Sequence, residues 1–179
     1  MARLFSLFGD RKVQEEAVPA PLGVARAAPP VSRPRPESGI QFDSDLIQHL
    51  VSDHSHLLSQ FTALLPLLRS GDSKSFKTRL QAFKTEFQGH IIKENVKFYV
   101  YLEQALSSDE TNLELMRDFR REMNSISRAV VHFCNRFIDD SLSESAIARF
   151  AKESNEIGEA LLRRIEREER DLYPLYACR

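Results

Sequence analysis

From Phe42 to near the end of the chain, apolar residues recur at steps of three and four, in four runs separated by short polar breaks. That period is the signature of amphipathic helices. The first run, about 44–69, carries Leu46, Ile47, Leu50, Leu57, Leu58, Phe61, Leu65 and Leu68, and Pro66 in its last turns predicts a bend. Arg69-Ser70-Gly71-Asp72-Ser73 reads as a helix stop followed by an N-cap. The second run, about 73–107, repeats Phe76, Leu80, Phe83, Phe87, Ile91, Phe98, Leu102 and Leu106. Thr111 with Glu114 predicts a capping box for a third helix, about 111–138, with Leu115, Phe119, Met123, Ile126, Val130, Phe133 and Phe137. Ser141 with Glu144 offers another box ahead of a fourth helix, about 143–173, that carries Ile147, Phe150, Ile157, Leu161, Ile165 and Leu172 before Pro174. Period-two alternation and hairpin turns are absent. Four long amphipathic helices joined by short turns predict an all-α, up-down-up-down four-helix bundle.

Residues 1–41 differ in kind. Six of the eight prolines lie there among Ala, Val and Arg, which predicts a disordered tether ahead of a bundle domain at 42–179. At its start, Leu4, Phe5, Leu7 and Phe8 form a short apolar tip within 1–9; it reads as a frayed tail or as a turn that docks on a protein partner or touches a membrane surface. With a net charge of -1 there is no basic field to attract nucleic acid. Cys134 and Cys178 are far apart without CxxC spacing, which argues for a reducing compartment and against a disulfide scaffold or a thiolate zinc site. No apolar run approaches the roughly 20 residues of a transmembrane span, and Gly9-Asp10-Arg11-Lys12 interrupts the only apolar start that a secretory signal would need. A cytoplasmic location is the expectation.

The informative positions are polar residues on the apolar stripes. In the second helix the inward series 76, 80, 83, 87, 90, 94, 98 includes His90 and Glu94. The series 47, 50, 54, 57, 61 puts His54 inside the first helix, and 157, 161, 164, 168, 172 puts Arg164 and Glu168 inside the fourth. On the third, the inward candidates are Met123 and its neighbour Glu122, on the series 115, 119, 122, 126. Residues four apart share a helix face, so each such pair aims at one spot. Counted from the turns, His54 and His90 lie 17 and 19 residues from Gly71, an offset of about 3 Å at the helical rise. Glu94 and Glu122 match as well, at 15 and 13 residues from Asp109. Arg164 lies 24 residues beyond Asp140 and Glu122 18 before it, which predicts a mismatch of about 9 Å. Buried charges need compensation; iron, manganese or zinc would accept this imidazole and carboxylate set.

Taken together, Asp53-His54, His90-xxx-Glu94 and the run Glu168-Glu169-Arg170-Asp171-Leu172-Tyr173-Pro174-Leu175-Tyr176 resemble the hemerythrin-like cation-binding family over about 45–177. The resemblance implies a four-helix bundle holding a non-heme iron pair for oxygen binding, oxygen or redox sensing, nitric-oxide chemistry or iron-centre repair. His54, His90, Glu94 and Glu168 match the family pattern. Met123, beside Glu122, stands where the third helix would supply histidine, and Arg164 where the fourth would. Two readings follow. In one, His54, His90, Glu94, Glu168 and Glu122 hold one or two ions of non-heme iron. In the other the metal is lost and Arg164 supplies the positive charge, paired with Glu94, Glu122 or Glu168, since guanidinium binds carboxylates two-pronged.

The remaining features read as structural. Tyr99, Tyr101, Tyr173 and Tyr176 read as packing aromatics with hydroxyls at the bundle ends, a commoner role than electron shuttling near iron; Cys134 reads as a small core residue, and Arg163–Arg170 as a solvated face except at Arg164 and Glu168. No phosphate loop or nucleophile elbow is present. The expected role is oxygen, redox or nitric-oxide sensing and regulation rather than metabolic catalysis. The alternatives are a metal-free interaction module and a di-iron redox enzyme acting on oxygen, peroxide or nitric oxide.

Overall fold

A computed structural model describes residues 39–177. The tip at 1–9, most of the tether and Cys178 lie outside the described residues. The described chain is helical, without a strand: α1 Leu46–Arg69, α2 Ser73–Lys93, α3 Tyr99–Ala105, α4 Glu110–Asp139 and α5 Glu144–Arg167. A π-turn, Glu94–Phe98, joins α2 to α3 into one rod, and a second, Glu168–Leu172, extends α5 into a 3₁₀ turn at Tyr173–Leu175. Four rods result. Each packs on its two neighbours, α1 on α2, α2 on α4, α4 on α5 and α5 on α1, which closes the four-helix bundle.

Local chemistry sets the ends. Gly71 takes φ +82°, the left-handed conformation that releases the chain from α1, and Asp72 caps α2 by accepting from the Ser75 amide. A Cβ at Gly71 would meet nothing within 4 Å, so Gly71→Ala tests the backbone alone. The expected cost is about 1 kcal/mol, read as a melting temperature lower by about 3 °C. The other two caps differ from the predicted boxes. Asp109, not Thr111, caps α4 through the Asn112 amide, and Ser143, not Ser141, caps α5 through the Ala146 amide. In both cases the residue nearest the start of the helix wins, because only it has left helical φ/ψ while its side chain still reaches the third amide. α1 continues through Pro66 to Arg69.

The core is in two parts. One apolar cluster gathers Phe61, Phe76, Phe83, Phe87, Phe133, Phe137 and Phe150 with their aliphatic neighbours. The other gathers Leu46, Leu50, Phe98, Tyr99, Leu102, Phe119, Leu172 and Tyr173. Between them lies a layer of buried polar side chains: His54, His90, Glu94, Arg164 and Glu168. All seven positions of the α2 stripe are buried, from Phe76 to Phe98. The expected mismatch of the fourth helix is absorbed by the turn. Asp140 and Ser143 are extended, so α4 ends at Asp139 and α5 begins at Glu144. Measured between those ends, Arg164 and Phe119 are each 20 residues away, and the guanidinium carbon lies 4.6 Å from the Phe119 ring centre. Phe119 is the residue level with Arg164, and Glu122, one turn on, still reaches it, with Oε2 3.7 Å from Arg164 Nη1.

Candidate metal centre

The polar layer is built from adjacent turns of three rods. On α1, His54 follows Leu50 by one turn and precedes Leu57, so the stripe that packs the core carries the imidazole inward. On α2 the last turn brings His90, and Glu94 opens the π-turn one turn later. α5 repeats the arrangement, with Arg164 in its last turn and Glu168 opening the second π-turn. The extra residue of each π-turn lets two consecutive residues face inward, Phe98 with Tyr99 and Leu172 with Tyr173.

His54, His90 and Glu94 each offer a donor atom, and these atoms lie within 4.8 Å of one another. The two imidazole rings meet edge-on with centres 4.8 Å apart. Both are oriented from behind. The Nδ1–H of His54 donates to Glu169 Oε1 at 2.9 Å. That of His90 faces Asp53 Oδ2 at 3.4 Å, and Asp53 also takes the Lys93 ammonium at 2.6 Å. A carboxylate oxygen only accepts, so the proton sits on Nδ1 and the Nε2 lone pair is turned inward on each ring. The Tyr173 hydroxyl donates to Glu94 Oε1 at 3.1 Å and lies 3.3 Å from His54 Nε2. Glu94 Oε2 is buried with no hydrogen-bond partner. Two inward nitrogen lone pairs and an unsatisfied carboxylate oxygen fit one cation of the iron, manganese or zinc type.

The rest of the predicted set is arranged differently. Glu168 is buried; its Oε2 lies 3.6 Å from His54 Nε2, while Oε1 is gripped by Arg164 Nη2. That same nitrogen donates to the Tyr99 hydroxyl at 2.9 Å. Arg164 Nε and Nη1 are buried without a hydrogen-bond partner. Glu122 is not gathered with the histidines. Its side chain is 39% exposed and receives two hydrogen bonds from Arg167 Nη1, each 2.8 Å. The buried face of α4 runs Leu113, Met116, Phe119, Met123. The predicted series 115, 119, 122, 126 is rotated off it by about one residue, or about 100° at Glu122. Met123 is the inward residue there. The tyrosines pack in the second apolar cluster as expected, and Tyr99 and Tyr173 in addition reach the polar layer with their hydroxyls. A signal was legible in sequence: each stands five residues after an inward glutamate. Cys134 is fully buried, and burial pushes its thiol up to about 12, as expected of a core residue.

Burial governs the electrostatics. It holds both imidazoles neutral: His90 falls to about 4 through burial and then the neighbouring His54, and His54 is lowered by burial against the pull of Glu169. Burial raises Glu94 to about 7, with Arg164 pulling the other way. It also holds Glu168 well above the usual carboxylate range, helped by repulsion from Glu94. Two neutral bases facing a carboxylate that resists ionisation make a pocket in which a cation releases a proton on entry. A cavity of about 20 Å³, bordered by His54, His90, Met123, Leu161, Arg164 and Glu168, adjoins it. That is room for about one water-sized species. Among the described residues, no helix is long and apolar enough to cross a membrane.

No curated protein and no solved structure matches the chain significantly. A family profile does: the hemerythrin HHE cation binding domain, over residues 45–176. That span includes every residue of the polar layer, and the chain belongs to the hemerythrin HHE cation-binding family.

Proposed function

We propose that the protein binds non-heme iron at His54, His90 and Glu94 and uses it, in the cytoplasm, to sense oxygen, redox state or nitric oxide and regulate a partner accordingly. The observation that carries this reading is the group of three buried donors, each imidazole already turned by a carboxylate behind it. Iron bound there would supply an electronic state that changes when a diatomic gas or an oxidant arrives. The protein's own contribution is selection and insulation. Two apolar clusters close the layer from above and below, and the adjoining cavity of about 20 Å³ admits a small molecule but not a carbon skeleton. That size limit favours sensing over an enzyme acting on organic substrates. The Tyr173 phenol, held protonated by burial, keeps a hydrogen bond on Glu94 and faces the same spot.

The Arg164–Glu168 pair favours a second reading, in which the bundle keeps its fold without metal and works through a protein partner, with residues 1–9 as the docking segment. Metal content per chain separates the two. Untagged protein from iron-supplemented cells is expected to retain iron, and His90→Ala is expected to lose it while keeping the helicity seen by circular dichroism. Folded, metal-free wild type would overturn the sensing reading in favour of the interaction module.

A further inference from the structure

We infer that the Arg164 guanidinium stands in the place of a second cation, so that the centre takes one metal ion per chain. This rests on the proposal that His54, His90 and Glu94 bind metal.

The centre is built on a repeated frame. On one side are His90, Glu94 four residues on, a π-turn that Glu94 opens, and Tyr99. On the other are Arg164, Glu168 four residues on, a π-turn that Glu168 opens, and Tyr173. π-Turns account for roughly 1% or fewer of residues in proteins, so the same irregularity at the same step of two rods marks equivalent places. The tyrosines complete the equivalence by crossing over. Tyr173 reaches Glu94 on the opposite side, and Tyr99 reaches Arg164.

The two places differ in what they offer a cation. His90 presents an imidazole with a lone pair. Arg164 presents a guanidinium, which has no lone pair to give and carries a permanent charge. On the third rod, Phe119 lies under the guanidinium at 4.6 Å and Met123 is the next inward residue; the Glu122 carboxylate lies 3.7 Å from Arg164 Nη1 but is drawn to the half-exposed rim by Arg167. A thioether is a poor ligand for ions that prefer imidazole and carboxylate. Glu168 connects the halves. Its Oε1 is held by Arg164, and its Oε2 points to within 3.6 Å of His54 Nε2. The carboxylate therefore faces positive charge on one side and the three-donor pocket on the other. A second dication beside the guanidinium would meet repulsion and a carboxylate oxygen already engaged.

The test is the stoichiometry and magnetic state of the full-length protein loaded with Mn(II). Elemental analysis is expected to give one ion per wild-type chain, with the electron paramagnetic resonance hyperfine pattern of an isolated ion. Arg164→His returns a lone pair to the second place and is expected to raise the content to two, with the spectrum of an exchange-coupled pair. Two coupled ions in the wild type would overturn the inference and leave the proposed metal function standing. A content of one in a folded Arg164→His would also overturn it, because the guanidinium would not then be what excludes the second ion. No ion in the wild type would sink the metal function itself. Should Arg164→His fail to fold, the wild-type spectrum still decides.

Discussion

In the metal-free protein, Arg164→Met is expected to lower stability by about 3–5 kcal/mol at pH 8, the cost of removing one partner from a buried ion pair. Arg164 and Glu168 are each 2% exposed, so neither charge has water to fall back on. Methionine fills much of the space but leaves the Glu168 carboxylate uncompensated and the Tyr99 hydroxyl without its donor. The sign with pH follows from Glu168. Its folded pKa is already raised, and losing Arg164 raises it further. Such a group contributes stability below its unfolded value of 4.5 and loses it as pH rises through the folded value. The deficit of the variant should therefore shrink as pH falls, and Arg164→Met combined with Glu168→Gln should recover most of it. Urea unfolding at pH 8 and pH 6 checks both. A single variant within about 1 kcal/mol of wild type at pH 8 would show that the pair does not hold the polar layer together.

The second large effect is a gain of stability at the expense of the site. Glu94 is fully buried and its pKa rises from 4.5 to about 7 on folding. A shift of that size opposes folding by about 3 kcal/mol once both states are ionised, at 1.36 kcal/mol per unit. Glu94→Gln removes that cost but places an amide nitrogen where the Glu94 carboxylate leaves an oxygen unpartnered, a loss of about 1 kcal/mol. The net expectation for the metal-free protein at pH 8 is a gain of about 2 kcal/mol. The gain should fade as pH drops from 7 toward 4.5, because below 4.5 the native glutamate is neutral in both states and contributes its full stability. Cation affinity should fall at least about 100-fold, beyond what removing an outer-shell partner costs. Denaturant curves across pH, paired with metal titrations, read the two effects separately. A variant less stable than wild type at pH 8 would mean that the ionised Glu94 is already compensated in the fold.

Much of the bundle was legible because its cause is local. The α2 stripe follows from a period of 3.6, and His90 and Glu94 fall on it whatever the neighbouring helices do. The agreement of His54 with His90 follows from a tight turn at Gly71, where counting residues equals measuring height. The sequence left Glu122 and Met123 as rival inward candidates because an amphipathic pattern bounds a face only to within about one residue, and one residue is about 100° of rotation. Arg167, whose guanidinium takes Glu122 at the rim, shows where that rotation ends.

The sequence alone determined the four rods, the stops between them and which polar residues lie on buried faces, because periodicity, glycine conformation and capping act within a few residues of the chain. Only the tertiary structure decided the partners. Which carboxylate turns each imidazole, that Tyr99 and Tyr173 cross to opposite halves, and that Arg167 takes Glu122 all depend on helix rotation and height, whereas the Arg164–Glu168 pair, four residues apart on one rod, is local. Those quantities are set when two apolar clusters pack against each other across four rods, and a difference of one residue or one turn changes which charge finds which.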